Sequence, residues 1–354
     1  MTATIDMLSI RDLTQVVNKI PTPEPIVLNT VFGSAQQKAA ETIDIEIVES
    51  GQGLAQFTPS GGSAKLINKH SRTRKTITLP TTYEQYIFTD REMLDYQALG
   101  QLYSFSAVER QAKANEWIMR HVVELKNRIM RRREQLACAA LTTAGNITIT
   151  QDDLEFTIDY GLVADTHIIT LSGTSLWTDT SSRPVDQIMD AANTTSAKCG
   201  YTVDTCLLGI TAAKALLSNA KILTQLNASN NAVGRLDLRN KQTIGGKWLG
   251  NLYGVDIWLV AQKYKTSAGV LTDMFNAKMA TFIPSEGKNA GLFSLPTGPI
   301  GRYTDAGDFK LNFVEFLLEA VVDKDRKNLE WKIEQKSLPV ISDPDAVYTV
   351  QVIA

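Results

Sequence analysis

AVERQAKANEWIMRHVVELKNRIMRRREQLACAA, residues 107–140, lies within a stretch from Gln101 to Ala144 that contains no glycine and no proline. Ile118, Val122, Leu125, Ile129, Leu136 and Ala140 recur at steps of three, four and seven, which puts them on one stripe, with Glu124, Lys126, Asn127 and Arg131 turned elsewhere. The spacing predicts one unbroken amphipathic helix spanning roughly 50 Å at about 1.5 Å per residue, against a mean helix of about 11 to 12 residues. A rod of that length suits the spine of a flat or extended subunit better than the wall of a small compact domain.

Composition narrows the class. Of 354 residues, 44% are hydrophobic and 21% charged, enough for a large core divided among two or three units. A formal charge of -2 and a pI near 6.0 lack the basic excess of a dedicated nucleic-acid binder and fit a chain that packs mainly against protein. Cys138, Cys199 and Cys206 have no paired spacing, so neither a disulfide framework nor a cysteine metal site is expected, and a reducing cytoplasm is the default compartment. Asp6, Arg11, Asp12 and Lys19 interrupt the first residues, and no run of about 18 apolar residues occurs; neither a signal peptide nor a membrane span is expected.

Upstream of the helix, residues 10–20 form a short amphipathic stretch that the prolines at 21, 23 and 25 stop, leaving an extended arm. Ile43, Ile45 and Ile47 alternate with Asp44 and Glu46, a half-buried strand over 42–48, and a second strand is expected at 76–79. Between them lie Gly51, Gly53, Pro59, Gly61 and Gly62, then Lys65, Lys69, His70, Arg72, Arg74 and Lys75: a two-stranded flap with a polar tip. Such a hairpin is marginal alone and has to lean on something outside itself. Downstream, short strands are expected near 146–150, 154–160 and 167–171, with a turn at 164–166. A helix follows from Pro184 with Val185, Ile188, Met189 and Ala192 as its stripe. The pattern then gives a strand at 205–209, a helix at 211–219 capped by Thr211, a strand at 254–260, and a hairpin of 313–322 with 329–333 around a polar turn at 323–327. The mixture is α+β.

Catalysis needs convergent polar groups, and the three histidines, His70, His121 and His167, neighbour no nucleophile motif. His121, with Glu124 three residues on and Leu125 four on, reads as a surface or interface residue of the helix. Gly51-Gln-Gly53 lacks a third glycine, and Gly245-Gly-Lys-Trp248 has tryptophan where a phosphate loop needs Ser or Thr; both read as turns. Asp152, Asp153, Asp323, Asp325, Asp343 and Asp345 match no calcium loop and read as turn residues. Cys138 and Cys199 read as structural. Arg131, Arg132 and Arg133 point in different directions on a helix, which favours inter-subunit or helix-terminal charge pairing over phosphate contact.

Phe57-Thr-Pro59 followed by glycines and Leu79-Pro80, the run from Arg131 through Gly145 into Ile147-Thr-Ile149, and the tail from Ser337 through Asp343-Pro-Asp345 to Val350-Gln-Val352 together resemble the major capsid protein E family of lambda-like tailed phages. Trp177 and Arg183-Pro184 also fall where that family has an aromatic and a proline before its central domain, and the match runs in order along nearly the whole chain. The resemblance implies the Hong Kong 97 type capsid fold: an N-terminal arm (1–48), an E-loop (49–84), a peripheral domain with the spine helix (85–183, helix about 107–140), an axial domain (184–300) and peripheral C-terminal strands (301–354). It implies a non-enzymatic shell protein that assembles with itself into pentamers and hexamers and then an icosahedral head. Its expected partners are a portal, scaffold or decoration proteins, and packaged double-stranded DNA touched weakly and nonspecifically. No membrane, cofactor or metal is expected, and the location is the virion after assembly in host cytoplasm. The candidate inter-subunit residues are Gly51, Gly53, Phe57, Pro59, Gly61, Gly62, Lys65, Lys69 and Arg72 on the flap, with Arg131, Arg132 and Arg133 on the helix. An encapsulin-like compartment of the same fold is the alternative reading.

Overall fold

The apolar stripe of the long helix finds its partner in a three-stranded sheet. The computed structural model describes residues 17–18, 25–48, 72–92, 107–144, 146–151, 154–222, 234–243, 246–266, 268–303, 307–322 and 328–354. In chain order, β1 (Ala35–Gln37), β2 (Thr42–Val48), β3 (Arg72–Thr78) and β4 (Thr81–Thr89) precede the helix α1 (Ala107–Thr142). Next come β5 (Asn146–Gln151), β6 (Leu154–Asp159), β7 (Ile168–Thr170), α2 (Pro184–Cys199), β8 (Thr205–Leu208) and α3 (Ile210–Ser218). The strands β9 (Gly234–Thr243), β10 (Gly246–Leu252), β11 (Val255–Leu259), β12 (Lys263–Lys265), β13 (Leu271–Asp273) and β14 (Met279–Ile283) follow. The chain closes with β15 (Phe293–Thr297), β16 (Ile300–Tyr303), β17 (Phe309–Asn312), β18 (Leu317–Val322), β19 (Asn328–Lys336), β20 (Val340–Ile341) and β21 (Tyr348–Gln351).

The sheet order β18-β19-β4 is antiparallel throughout, with nine β19–β4 pairs from Asn328↔Thr89 to Lys336↔Thr81. Strict alternation along β4 leaves Tyr83 and Ile87 exposed and turns Tyr86 and Phe88 inward. Ile118, Val122, Leu125 and Ile129 of α1 pack there with Phe88, Leu318, Trp331 and Ile333. Each such side chain contributes roughly 1.5–3 kcal/mol by leaving water. Two expectations fail on this helix. Lys126 does not face solvent: it is 5% exposed because Val17 lies across it and its carbonyl accepts from Lys126 Nζ at 2.6 Å. His121 is half-buried, its ring within 4.5 Å of Tyr86 and 4.6 Å of Trp117, and Nδ1–H donates to the Trp117 carbonyl.

The larger sheet has the order β7-β21-β14-β8-β11-β10-β9, with β8–β11 and β7–β21 parallel. Its central strands TCLL and MATFI are buried at every position, as expected of strands covered on both faces. Their alternation splits two cores: Cys206, Leu208, Ala280 and Phe282 join the cluster under α2 and α3, while Leu207, Met279 and Ile283 join a second one on the opposite face. Helix α2 begins at Pro184 and ends at Gly200, which takes φ +76°; of its expected stripe, Met189 is exposed instead and Thr195 is buried. Helix α3 opens one residue early, at Ile210, without a threonine cap: the Ala277 carbonyl accepts from the amides of Thr211 and Ala212 at 2.9 Å each. That approach requires glycine before the helix, since a Cβ on Gly209 would stand 2.1 Å from the Asn276 carbonyl oxygen. Gly246-Lys-Trp248 is not a turn but the start of β10; a Cβ on Gly246 would meet Ile26 Cδ1 at 2.4 Å.

The end of α1 ties both sheets together. Ala137, Cys138, Ala140 and Leu141 enter the second core, which they share with Ile26, Val27, Leu28 and Phe32. The Thr349 hydroxyl donates to the Leu141 carbonyl at 2.7 Å and bonds Thr281 Oγ1 at 2.8 Å. The C-terminal hairpin forms with its strands shifted from expectation: β18 begins only at Leu317, residues 313–316 being irregular, while β19 runs on to Lys336. Of the 10–20 stretch, Val17 and Asn18 are described and helical; His70, Asp152, Asp153, Asp323 and Asp325 lie outside the described residues.

Candidate assembly surfaces

The flap strands pair over seven positions, Thr42↔Thr78 to Val48↔Arg72, and form a two-stranded sheet of their own. The expected second strand is longer than 76–79 because the alternation of its partner carries the ladder back to Arg72. Its root is buried. Leu79 is 2% exposed beside Gly298, its amide bonds the Glu41 carbonyl at 3.0 Å, and Lys336 pairs with Glu41 at 2.8 Å. Ile43 and Ile77 half-bury against the second core; beyond them Asp44 holds Thr76 at 2.6 Å and Arg74 at 3.9 Å. Among the described residues, neither outer edge of this hairpin pairs with another strand, so both can take one. Arg72 opens β3 opposite Val48; Gly51, Gly53, Phe57, Pro59, Gly61, Gly62, Lys65 and Lys69 lie outside the described residues.

The three adjacent arginines split as their helical angles demand. Arg131 is exposed and meets Glu124 at 3.2 Å; Arg132 is half-buried and bonds Gln135 at 3.3 Å. Arg133 is buried, paired with Glu315 and stacked 5.6 Å from the Phe316 ring centroid. The structure therefore does not bring them together as one basic patch, nor next to the flap strands.

A surface that the sequence reading missed stands on the outer face of the three-stranded sheet. The hairpin β16–β17 turns Ile300 and Arg302 inward, and Arg302 joins Glu319 at 2.9 Å and Glu334, over the Tyr83 ring. Its other face carries Tyr303, 73% exposed, against Phe309, with Leu311 and Phe313 alongside, all exposed. The signal that could have flagged it is the alternation of Phe309, Leu311 and Phe313 with Lys310 and Asn312.

Several ionisable groups are buried. Burial lifts Glu134 to about 7 and Asp343 to about 6, and lowers Lys126 despite Glu315 nearby. Asp343 caps a short turn by accepting the Asp345 amide at 3.0 Å. His167 accepts the Val163 amide at Nδ1, 3.0 Å, and donates from Nε2 to Asp345 at 3.1 Å, so it joins the 161–167 loop to the tail. Burial raises all three cysteines, and Cys138 and Cys206 are fully enclosed. Among the described residues no three His, Cys, Asp or Glu side chains converge on a metal position. A cavity of about 150 Å³ between α2 and the sheet is walled by Trp177, Phe282, Tyr348 and Val350.

These surfaces offer strand edges, an apolar hairpin face and paired charges, the means of protein–protein contact. A family model of phage major capsid protein E matches residues 9–352. Comparison with curated proteins finds no match. Among solved structures, one described as a prophage capsid protein from E. coli CFT073 has a TM-score of 0.68 at 15% identity, covering 98% of this chain and 99% of that one. A phage-related protein from Bordetella bronchiseptica RB50 gives 0.53 at 12%, covering 96% of each. The capsid of the cyanophage P-SCSP1u gives 0.52 at 10%, covering 94% and 89%. At such identities the likeness is one of fold.

Proposed function

The chain belongs to the phage major capsid protein E family and has the α+β Hong Kong 97 type fold, and from that premise we propose how its surfaces build a shell. It is a virion structural protein, the major capsid protein of a tailed double-stranded DNA phage. In our reading, copies join head to tail into pentamers and hexamers, which close into the icosahedral head in the host cytoplasm and leave one position for a portal. Residues 1–48 act as the arm, 49–84 as the E-loop, 184–300 as the axial domain, and 85–183 with 301–354 as the peripheral domain around α1; β21 nevertheless shares the sheet of β8 and β14. The three split arginines serve intra-subunit pairing first, and DNA meets the inner surface weakly, since a charge of -2 gives no basic excess. No catalytic step is assigned. The family match favours this reading over an encapsulin-like compartment.

The observation that carries the assembly mechanism is the flap: seven cross-strand pairs held to the body at Leu79, with both edges open. A hairpin so placed becomes stable by lying on a neighbour, and many weak contacts of this kind sum in a closed shell. The hypothesis predicts that deleting residues 55–75 leaves a soluble, folded subunit that makes no shells. Circular dichroism and light scattering with negative-stain microscopy read both properties, and normal shells from the deletion variant would refute it.

A further inference from the structure

Residues 25–32, PIVLNTVF, carry no ionisable side chain, yet they seat on one carboxyl group of the spine helix. Glu134 is 2% exposed; its Oε1 accepts the Val27 amide at 2.8 Å and its Oε2 the Leu28 amide at 3.0 Å. These are leading amides of a helical turn, which have no partner within the turn itself. Among the described residues no basic side chain pairs with Glu134, because Arg133, its sequence neighbour, is turned to Glu315. The attachment is thus made from backbone amides to a single buried acid, with Ile26, Val27, Leu28 and Phe32 packed around it.

We propose that Glu134 is a proton-operated latch for the N-terminal arm: the firmness with which residues 25–32 seat on α1 is set by whether this carboxyl carries a proton. Withdrawal from water raises Glu134 from 4.5 to about 7, against the pull of the backbone amides that it accepts. Because the seated value lies above the free value, the stabilisation is full below about pH 4.5 and is lost as the pH rises through about 7. The protonated arm is the firmly seated one; above neutrality the seat encloses an anion without a cation. Few other groups bear on it. Cys138 lies one turn along α1, the turn Ser285–Lys288 packed against the segment brings Glu286 and Lys288, and β15 brings no ionisable side chain. The proposal concerns the subunit and does not depend on the shell.

Hydrogen exchange of the full-length unassembled chain, corrected for the intrinsic rate and followed by mass spectrometry over residues 25–32, tests it. A midpoint near 7 predicts that protection falls about tenfold between roughly pH 6 and 8. Glu134→Gln, neutral throughout, keeps one acceptor oxygen but sets its NH2 against the other amide, so its protection is expected to start lower and to show no such fall. An equal fall in both proteins overturns the proposal. Should the variant not fold, the carboxyl carbon resonance of Glu134 in the wild-type chain decides: a midpoint near 7 supports the latch, and one in the ordinary carboxylate range overturns it.

Discussion

The flap β2–β3 and the sheet β4–β19–β18 are both antiparallel ladders, yet it is the second that packs its inner face on α1. Ile43 and Ile77 reach half burial, whereas Phe88, Trp331 and Ile333 fall below 3% exposure under α1. The ladders are alike in local pairing, seven positions and nine. What separates them is cover: alternation sets the direction of side chains, and tertiary packing decides whether the direction is worth anything. The described side chains of the flap strands are half-buried at most, which is the property that the proposed contact with a neighbouring subunit draws on.

The contrast can be broken from either side. Trp331→Ala removes the largest side chain beneath α1 and is expected to cost roughly 3–5 kcal/mol, read as a lower denaturation midpoint; a loss under about 1 kcal/mol would mean the helix is held elsewhere. Leu79→Ala acts at the flap root and is expected to cost about 2–3 kcal/mol, at the low end for such changes because half-buried neighbours can close in. Its sharper sign is faster amide exchange in 42–48 with no change in β19; equal acceleration in both would show that flap and sheet are one unit. The smallest effect compares two arginines two residues apart on α1. Arg133→Ala strands Glu315, whose 37% exposure limits the loss to about 1–3 kcal/mol, while Arg131→Ala should lie within about 0.2–1 kcal/mol. Equal midpoints for the two variants would contradict the buried role of Arg133.

Much of this arrangement was legible in the residues. The spine needed only a stripe of period 3.6 and the lack of helix breakers, and the flap strand 42–48 needed only Ile43, Ile45 and Ile47 in alternation. What was not legible came from distant partners. Lys126 reads as a surface residue until Val17 crosses it, and His121 until Tyr86 stacks on it. Thr211 has the chemistry of a cap, but the Ala277 carbonyl takes that position, and Gly209 and Gly246 are glycines because of what presses on them. The apolar face of β17 was open to reading in Phe309, Leu311 and Phe313 alternating with Lys310 and Asn312, but the seat around Glu134 carried no local period; a lone acid one turn before Cys138 gives no hint that the Val27 and Leu28 amides meet it.

The place of β21, hydrogen-bonded between β7 and β14, bears on when a subunit becomes usable. A ribosome making about 5–20 residues per second needs roughly 9–35 seconds to go from Thr170 to Tyr348. Throughout that interval β7 lacks its one neighbour in the sheet among the described residues, and β14, once made, lacks one of its two. Thr281 and the carbonyl of Leu141 wait for Thr349 in the same way. A chain that has not yet made β21 is therefore barred from the finished sheet, so residues 348–351 close a framework that the rest of the chain can only prepare.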